Sequence, residues 1–297
     1  MTKGRPLASI GLPVRNGETF LAEALDSLRA QTLGDFELIV SDNASTDRTA
    51  EIAREAESAD PRIRYVRQET NIGAAENFNF VFTESRGQYF CWASHDDRWA
   101  AEFLERCVGV LDADPEAVLS FTGWIEIDAH GREVGRLGSR PNVGSELVHI
   151  RFGDVLRQTV HPIFGLIRSD VLGRTALMRP HIGSDRALLA ELALRGTLRE
   201  LPEALFFSRH HADRYSQARF DRHQRQRWWS PEGVDRFIYL PNWTRLVDYA
   251  RAVRRAPLTA SERRRCWIEL VADGGRRWRT LVYDLGVATR DAVLSRS

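Results

Sequence analysis

An apolar strand that ends on two adjacent carboxylates is predicted at Gln88-Tyr-Phe-Cys-Trp-Ala-Ser-His-Asp-Asp-Arg-Trp99, and this pattern indicates an α/β sheet with a ligand site at its edge. Side chains of a strand leave alternate faces, so the apolar residues anchor a sheet while Asp96 and Asp97 emerge beyond its carboxyl end. Open α/β sheets bind ligands at that edge. Two hard oxygen donors there suit Mg²⁺ or Mn²⁺ carrying a phosphate. The alternative is that one acid caps a helix expected to begin near Ala100.

Composition sets wide limits on the fold and excludes some partners. A chain of 297 residues is compatible with one large α/β domain or with a domain plus an appendage. Because 42 Lys+Arg nearly balance 41 Asp+Glu, no global charge favours nucleic acid. No stretch is apolar enough to cross a bilayer, and the N-terminus lacks the apolar core of a signal peptide, so we expect a cytoplasmic protein. Three scattered cysteines indicate neither a disulfide framework nor a zinc site.

Short apolar runs alternate with helical periodicity through the first half of the chain. Strands are predicted at 7–12, 36–41, 63–67, the Gln88–Trp99 stretch, 117–128, 163–168 and 204–209, with helices at 20–30, 46–58, 75–85, 102–113, 152–158 and 185–195. Residues 135–145 are rich in glycine and are predicted to form a loop. This alternation predicts an α/β, Rossmann-like fold with a mostly parallel sheet flanked by helices.

The chain becomes rich in Arg and Trp from about Asp221 onward, which predicts a C-terminal helical appendage. Such helices can lie on an anionic membrane bearing a lipid-linked acceptor, form a homodimer interface, or pack back on the domain.

Four blocks in this order resemble glycosyltransferase family 2, whose members use nucleotide sugars. They are Ala8-Ser-Ile-Gly-Leu-Pro-Val-Arg-Asn-Gly17, Asp35-Phe-Glu-Leu-Ile-Val-Ser-Asp-Asn-Ala-Ser-Thr-Asp47, Asn71-Ile-Gly73 and His95-Asp-Asp97. The likeness continues through His161–Gly165, Gly183–Asp185 and Arg209–His211. It implies a GT-A fold over residues 1–216, with a nucleotide-sugar half at about 1–128, an acceptor half at about 129–216, and a helical extension at 217–297.

Polar residues after the first two strands are candidates for nucleotide binding. Pro13, Arg15 and Asn16 follow the first strand, and Asp42 follows the second. A carboxylate there can accept hydrogen bonds from a pyrimidine imide or from ribose, and the resemblance implies that role for Asp42. Arg15 replaces a tyrosine common in relatives, so its contact with base, phosphate or only the rim stays open.

Asn71, and Asp96 in the acidic pair, complete the predicted nucleotide site. The alternative for the second-strand residues is local, since Asp42, Asn43 and Asp47 can form an Asx-turn and a helix cap.

The metal site departs from the family's usual Asp-x-Asp pattern, because Ser94 stands at the first position. The resemblance therefore implies an ion, Mn²⁺ or Mg²⁺, that rests on Asp96 and Asp97 together with diphosphate oxygens and water. Relatives carry a histidine after an arginine near the end of the catalytic region. His211 is the candidate here, and His210 competes for that place.

Asp185 resembles the family's catalytic base by its position. Inverting transfer needs one carboxylate to take the proton of the attacking acceptor hydroxyl. The rival explanation is structural, because Ser184 or Asp185 is also a natural N-cap for the helix that follows.

Four residues are candidates for contact with the acceptor, namely Trp92, Trp124, His161 and Phe164. Their rings can stack on a sugar face, although aromatic residues at strand spacing are commonly core residues.

These residues together predict an inverting, metal-dependent glycosyltransferase that moves a sugar from a UDP- or dTDP-linked donor to a hydroxyl of a glycan, a lipid-linked molecule or a small molecule. A sugar nucleotidyltransferase is the first alternative, but the loop Gly11–Gly17 lacks the glycine-rich, basic character expected for it. The second is a binding module without turnover. A dinucleotide-binding Gly-x-Gly-x-x-Gly motif is absent after the first strand.

Overall fold

The computed structural model describes residues 4–137, 143–157, 162–212, 222–231 and 240–294. Its strands are β1 (Ala8–Val14), β2 (Phe36–Asp42), β3 (Ile63–Arg67), β4 (Tyr89–Trp92), β5 (Arg98–Trp99), β6 (Ala117–Ile127), β7 (Glu133–Leu137), β8 (Leu166–Arg168) and β9 (Thr197–Arg209). Its helices are α1 (Leu21–Arg29), α2 (Thr49–Ala59), α3 (Ala74–Thr83), α4 (Phe103–Ala113), α5 (Val148–Arg157), α6 (Ser169–Leu172), α7 (Ser184–Ala193), α8 (Arg222–Trp229), α9 (Pro241–Arg255), α10 (Ala260–Arg276) and α11 (Trp278–Leu294).

The described strands form one sheet in the order β3-β2-β1-β4-β8-β6-β9-β5, with β7 paired to β6. The β3-β2-β1-β4 half is parallel, β8 runs antiparallel to both of its neighbours, and β6 and β9 are parallel again. Because β2, β1 and β4 are parallel neighbours, the residues that follow them lie at one edge of the sheet.

The central strands are buried on both faces, and alternate residues pack into two cores. On β4, Tyr89 and Cys91 belong to the core that α1 and α4 cover, whereas Phe90 and Trp92 belong to the core that α3 and α7 cover. This double burial explains why the strand is almost continuously apolar in sequence.

The predicted alternation of strands and helices is confirmed, with several differences in extent. The Gln88–Trp99 stretch is a strand only in β4 and β5, α5 begins at Val148 rather than at 152, and a 3₁₀ helix at Pro162–Phe164 takes the first residues of the predicted 163–168 strand. β1 continues to Val14 and therefore contains Pro13. β7 lies partly inside the predicted 135–145 loop, of which residues 138–142 are outside the described part. β9 begins at Thr197 rather than at 204, because its first half carries Glu200 and Pro202, which hide the strand pattern.

The C-terminal region is helical as predicted and packs back on the domain. Tyr249 and Val253 of α9 and Cys266 and Leu270 of α10 enter the core formed with α5 and α7. The boundary predicted at residues 216 and 217 lies outside the described residues. None of the helices in the described ranges combines the length and apolar character needed to cross a bilayer.

An ion pair far from the ligand-binding edge gives a pH-dependent contribution to stability. Asp60, which is 7% exposed, accepts hydrogen bonds from Arg62 Nε (3.0 Å) and Nη2 (2.7 Å). The hydrogen bonds from Arg62 outweigh the effect of burial and lower the pKa of Asp60 below its ordinary 3.8. A depressed carboxylate pKa stabilises the fold above the unfolded-state pKa, and this stabilisation is lost as pH falls through the folded-state pKa.

We therefore expect Asp60→Asn to reduce the free energy of unfolding by about 2 kcal/mol at pH 7. The difference from wild type should shrink as pH falls below 3.8. Urea denaturation across this pH range measures it. The exposed pair Asp26 and Arg29 (3.3 Å) provides the control, since Asp26→Asn should change stability by less than about 1 kcal/mol. A difference for Asp60→Asn that does not change with pH would contradict the assignment.

Candidate active site

Asp42 lies at the carboxyl end of β2 and is fully buried. Its carboxylate accepts hydrogen bonds from the Ser45 backbone N–H (2.8 Å), the Tyr65 hydroxyl (2.8 Å) and Arg67 Nη1 (2.6 Å). The local turn that the sequence left open as an alternative is therefore present. An ionised carboxylate has about four acceptor positions, so one remains for a ligand. Sequence reasoning did not find Tyr65 and Arg67, which cover this carboxylate.

The loops after β1 and β2 are joined by hydrogen bonds. Asn16, in the left-handed region at φ 53°, accepts from the Thr46 N–H through Oδ1 (2.9 Å), and its own N–H donates to Ser45 Oγ (2.9 Å). Arg15 beside it is exposed. Pro13 is buried at the end of β1, and its predicted contact with the nucleotide stays a prediction.

Asn71 belongs to a second set of bonds at the same edge. Asn43 Nδ2 donates to Asn71 Oδ1 (2.9 Å), and Asn71 Oδ1 also accepts from the Gly73 N–H (3.0 Å). The side chain of Asn71 thus holds the turn that leads into α3. Its predicted contact with nucleotide stays a prediction.

Asp96 and Asp97 emerge beyond β4 and do not cap a helix. Glu102 occupies the N-cap position of the next helix, α4, and no side chain makes a capping hydrogen bond there. The alternative that Asp96 or Asp97 caps this helix is therefore wrong. The Ser94 hydroxyl donates to Asp96 Oδ1. Asp97 is 1% exposed, and its Oδ1 accepts the Arg209 backbone N–H (2.8 Å).

Arg209 connects the acidic pair to the rest of the sheet, although sequence reasoning gave it no role. It is 1% exposed at the end of β9, and its Nε donates to the Asp96 carbonyl (2.8 Å) while its Nη2 contacts Glu23 of α1 (2.6 Å). The guanidinium carbon lies 4.7 Å from the centre of the Phe20 ring. The only sequence signal was its place before two histidines.

Of those two histidines, His211 is the one beside the acidic pair. His211 Nε2 lies 2.9 Å from Asp96 Oδ2, and its ring packs against Phe20 with centroids 4.7 Å apart. His210 Nε2 instead lies 3.4 Å from Glu126 Oε1.

The Asp96–His211 pair fits a divalent ion that also carries a diphosphate. In the described ranges no group of three or more His, Cys, Asp or Glu side chains is arranged to hold an ion unaided. One carboxylate and one imidazole suit Mn²⁺ or Mg²⁺ when phosphate oxygens and water complete the coordination. Because Asp96 Oδ2 and His211 Nε2 are only 2.9 Å apart, both atoms are close enough to bind the same ion.

The nucleotide candidates and the metal candidates meet through Gly17 and His95. A Cβ on Gly17 would lie 2.8 Å from His95 Cδ2, so only glycine permits this approach. The Gly17 N–H donates to Thr49 Oγ1 (2.8 Å), and His95 immediately precedes Asp96. Burial lowers the pKa of His95 despite the nearby charge of Asp96. Asp42 and Asp96 therefore lie at the same edge, joined by the loop after β1.

Asp185 lies in the first turn of α7, where it is partly buried. The N-cap residue is Gly183, no side chain caps the helix, and Ser184 Oγ accepts the Arg179 N–H instead. The capping explanation for Ser184 and Asp185 is therefore wrong. No hydrogen bond among the described residues joins Asp185 to Asp96.

The acceptor candidates are mostly core residues. Trp92 is fully buried and donates to the Phe78 carbonyl (2.9 Å), and Trp124 is 4% exposed, so both fit the alternative of a core residue, and their contact with a sugar stays a prediction. Phe164 is partly buried against Phe206, with ring centroids 5.6 Å apart. His161 lies outside the described residues. A buried indole whose N–H is satisfied is a stable core group, and its spacing on a strand does not separate the two roles.

Comparison with known proteins gives one family match. The profile of Glycosyl transferase family 2 matches residues 9–173. An uncharacterized glycosyltransferase of Rickettsia typhi is 31% identical over 173 residues, which are 58% of this chain and 53% of that protein. The chain thus spans about half the length of this relative.

Two solved structures resemble the fold. TarS 1-349 of S. aureus, in complex with UDP-GlcNAc, has a TM-score of 0.66 at 16% identity, covering 96% of this chain and 81% of TarS. The mannosyltransferase PcManGT of Pyrobaculum calidifontis, in complex with GDP-Man and Mn²⁺, has a TM-score of 0.53 at 16% identity, and the likeness covers 99% of this chain and 89% of PcManGT. At these identities the likeness shows the fold alone.

Proposed function

The chain belongs to glycosyl transferase family 2 and is a glycosyltransferase with a GT-A-like fold, and on that premise we propose a specific reaction. The protein moves a sugar from a UDP- or dTDP-linked donor to a hydroxyl acceptor, with inversion and with a divalent ion. The observation that carries this proposal is the position of the Asp96–His211 pair at the same sheet edge as Asp42.

Asp96 and His211 would hold the ion, Mn²⁺ or Mg²⁺, which neutralises charge on the departing diphosphate when bound. Asp97, also a predicted ligand, supports the pair through Oδ1, which fixes the backbone of Arg209 two residues before His211, and its own contact with the ion stays a prediction. Arg209 also binds the Asp96 carbonyl, so it sets the distance between the strand ends that carry the two ligands.

Asp42 would accept a hydrogen bond from the base or ribose through its remaining acceptor position. Arg67, whose side chain is 40% exposed, pairs with this buried carboxylate, so a nucleotide at Asp42 would also lie beside the guanidinium group. The Tyr65 hydroxyl keeps the carboxylate oriented. Arg15, exposed after β1, lies on the open side of this edge.

Asp185 would act as the base. In the described residues no side chain is hydrogen-bonded to its carboxylate, so the group is available to accept a proton from an acceptor hydroxyl. Inversion follows from a single displacement in which the hydroxyl attacks opposite the leaving diphosphate.

The direct test is incubation with a panel of UDP-, dTDP- and GDP-sugars and Mn²⁺, followed by measurement of slow donor hydrolysis. Release of nucleoside diphosphate supports the transferase. Release of pyrophosphate from nucleoside triphosphate plus sugar phosphate would identify a nucleotidyltransferase instead, and binding without turnover would identify a binding module.

The outer face of α10 supports contact with an anionic bilayer that presents the acceptor from the cytoplasmic side. Ile268 and Val271 are 58% and 71% exposed, and Arg264, Arg265 and Arg276 are exposed around them. The helix's acids are otherwise engaged: Glu262 caps Thr259, Glu269 pairs with Arg157, and Asp273 is buried. Apolar groups flanked by arginines fit anionic lipid, whereas two copies of this face would bring like charges together.

We expect the protein to co-sediment with phosphatidylglycerol vesicles and not with phosphatidylcholine vesicles, and the double variant Arg264→Glu/Arg265→Glu to lose that binding. Equal sedimentation of the variant would contradict the proposal. A homodimer seen by analytical ultracentrifugation and abolished by Ile268→Glu would assign the face to a second copy instead.

A further inference from the structure

Residues 177–184, here called the α7 approach segment, carry the chain into the helix that bears Asp185. The segment contains two residues in the left-handed region, Leu177 at φ 54° and Gly183 at φ 81°. It has no regular secondary structure apart from its last residue, Ser184, which opens α7. Local hydrogen bonds join Arg179 to Ser184 and His181 to Arg179, and contacts from other elements hold the rest of its path.

Three elements hold the approach segment from different sides. Asn79 of α3 binds both backbone groups of Met178, donating to its carbonyl (2.8 Å) and accepting from its N–H (2.9 Å). Gln226 of α8 donates to the Pro180 carbonyl (2.8 Å). The third element is α9, which contributes Arg245 against Gly183 and an acid described next.

Asp248 of α9 binds two side chains of the segment at once. Its Oδ2 lies 2.6 Å from His181 Nε2, and its Oδ1 lies 3.3 Å from Arg179 Nη1. His181 Nδ1 faces the Ile182 carbonyl at 3.2 Å, so the ring is held through both nitrogens. Asp248 and His181 are 4% and 5% exposed.

The electrostatic environment favours the ionised form of Asp248. Burial opposes ionisation of Asp248, but the hydrogen bond to His181 and the charges of His181, Arg179 and Arg251 outweigh burial and hold its pKa below the ordinary value. Hydrogen bonds to a buried ionised group are among the stronger ones in proteins.

We propose that Asp248 is a positioning residue for Asp185: it fixes the approach segment through His181 and Arg179 and so sets where α7 begins. The inference rests on the proposed role of Asp185 as the base. It gives the C-terminal helices a part in the reaction, although they lie beyond residues 9–173, which the family model matches. His181 precedes Asp185 by four residues, so a shift of the segment moves the carboxylate directly.

The expected effect of Asp248→Asn falls on turnover and not on donor binding. Displacing a reacting group by about 1 Å costs on the order of 10²-fold in rate. We expect kcat for hydrolysis of the best donor in the panel to fall roughly 10- to 100-fold. The donor KM should stay nearly unchanged, because in the described structure Asp248 contacts no residue of the Asp42 or Asp96 sites.

Asp273→Asn is the matched control. Asp273 is likewise a buried acid of the C-terminal helices, at 2% exposure, but its partners are Arg276 and Arg277 and not the approach segment. It should lower the thermal midpoint about as much as Asp248→Asn does and leave kcat near wild type. A kcat in Asp248→Asn equal to that of Asp273→Asn would overturn the proposal.

Two further measurements keep the test decisive. Should Asp248→Asn fail to fold, the variants His181→Gln and His181→Ala replace it. Gln retains a hydrogen-bond donor toward Asp248, so His181→Gln should keep a higher kcat than His181→Ala. Equal kcat values in the two variants would overturn the proposal. Asp185→Asn is run in parallel. A wild-type rate in that variant refutes the base and the positioning role with it, whereas a slow Asp185→Asn beside a normal Asp248→Asn refutes only the positioning role.

Discussion

Asp185→Asn is expected to lower kcat by roughly 10²- to 10⁴-fold while donor binding is retained, because the variant keeps the shape of the side chain and loses its ability to accept a proton. The structure removes the main structural objection, since the N-cap residue of α7 is Gly183, no side chain caps the helix, and the carboxylate of Asp185 contributes no capping bond. The measurement is steady-state donor hydrolysis together with calorimetric titration of the nucleoside diphosphate in the presence of Mn²⁺.

Asp170→Asn provides the control for this experiment. Asp170 also stands in the first turn of a helix, but it is exposed and pairs only loosely with Arg174 (3.4 Å). It should leave both kcat and stability unchanged. A loss of thermal stability in Asp185→Asn that accounts for its loss of activity would show that the residue is structural.

The second large effect is expected for Asp96→Asn, which should weaken Mn²⁺-dependent binding of the nucleoside diphosphate by about 10²-fold or more. Loss of a group that only supports a metal ligand costs 10- to 100-fold in affinity, so loss of one of two protein ligands should cost at least as much. His211→Ala should cause a similar loss, and the double variant should be little worse than either single variant, because both residues serve the same ion.

Glu126→Gln tests whether removing the acid of another acid–histidine pair also weakens Mn²⁺-dependent binding of the nucleoside diphosphate. Glu126 lies 3.4 Å from His210, next in the chain to His211, but away from Asp96. Binding measured with and without EDTA should be unaffected by this variant. Normal Mn²⁺-dependent binding in Asp96→Asn would refute the metal assignment.

The parallel half of the sheet could be predicted because its strands are buried on both faces. β4 is aromatic or apolar throughout, β2 has a central apolar run at 38–40, and polar residues stand at or just after the end of each strand, which is a strong local signal. β9 gave a weak signal, because its first half is partly exposed and carries charged residues. Its second half, which ends on the buried Arg209, is predicted from the sequence, although several of its residues are only half-buried.

The positions of Asp42 and Asp96 at one edge could also be predicted, since parallel neighbouring strands end together. The residues that hold them there could not. Arg209 contacts Glu23, which is 186 residues away in sequence, and Asp248 contacts His181 across 67 residues. No local pattern encodes such pairs.

Trp92 shows a position at which the strand pattern leaves two roles open. An indole near a ligand-binding strand end suggested contact with a sugar, but its N–H finds a backbone carbonyl inside the core, and the ring packs against Phe90 with centroids 5.0 Å apart. Whether a Trp on a strand faces the core or a ligand depends on the helix that covers it, which here is α3.

An anomalous difference map, recorded at the manganese edge from a crystal grown with Mn²⁺ and the nucleoside diphosphate released in the donor panel, would locate the ion and the nucleotide together. We expect one peak bound by Asp96 Oδ2 and His211 Nε2, with the diphosphate beside it and the base or ribose at Asp42. A nucleotide bound elsewhere, or a peak that contacts neither Asp96 nor His211, would contradict this expectation.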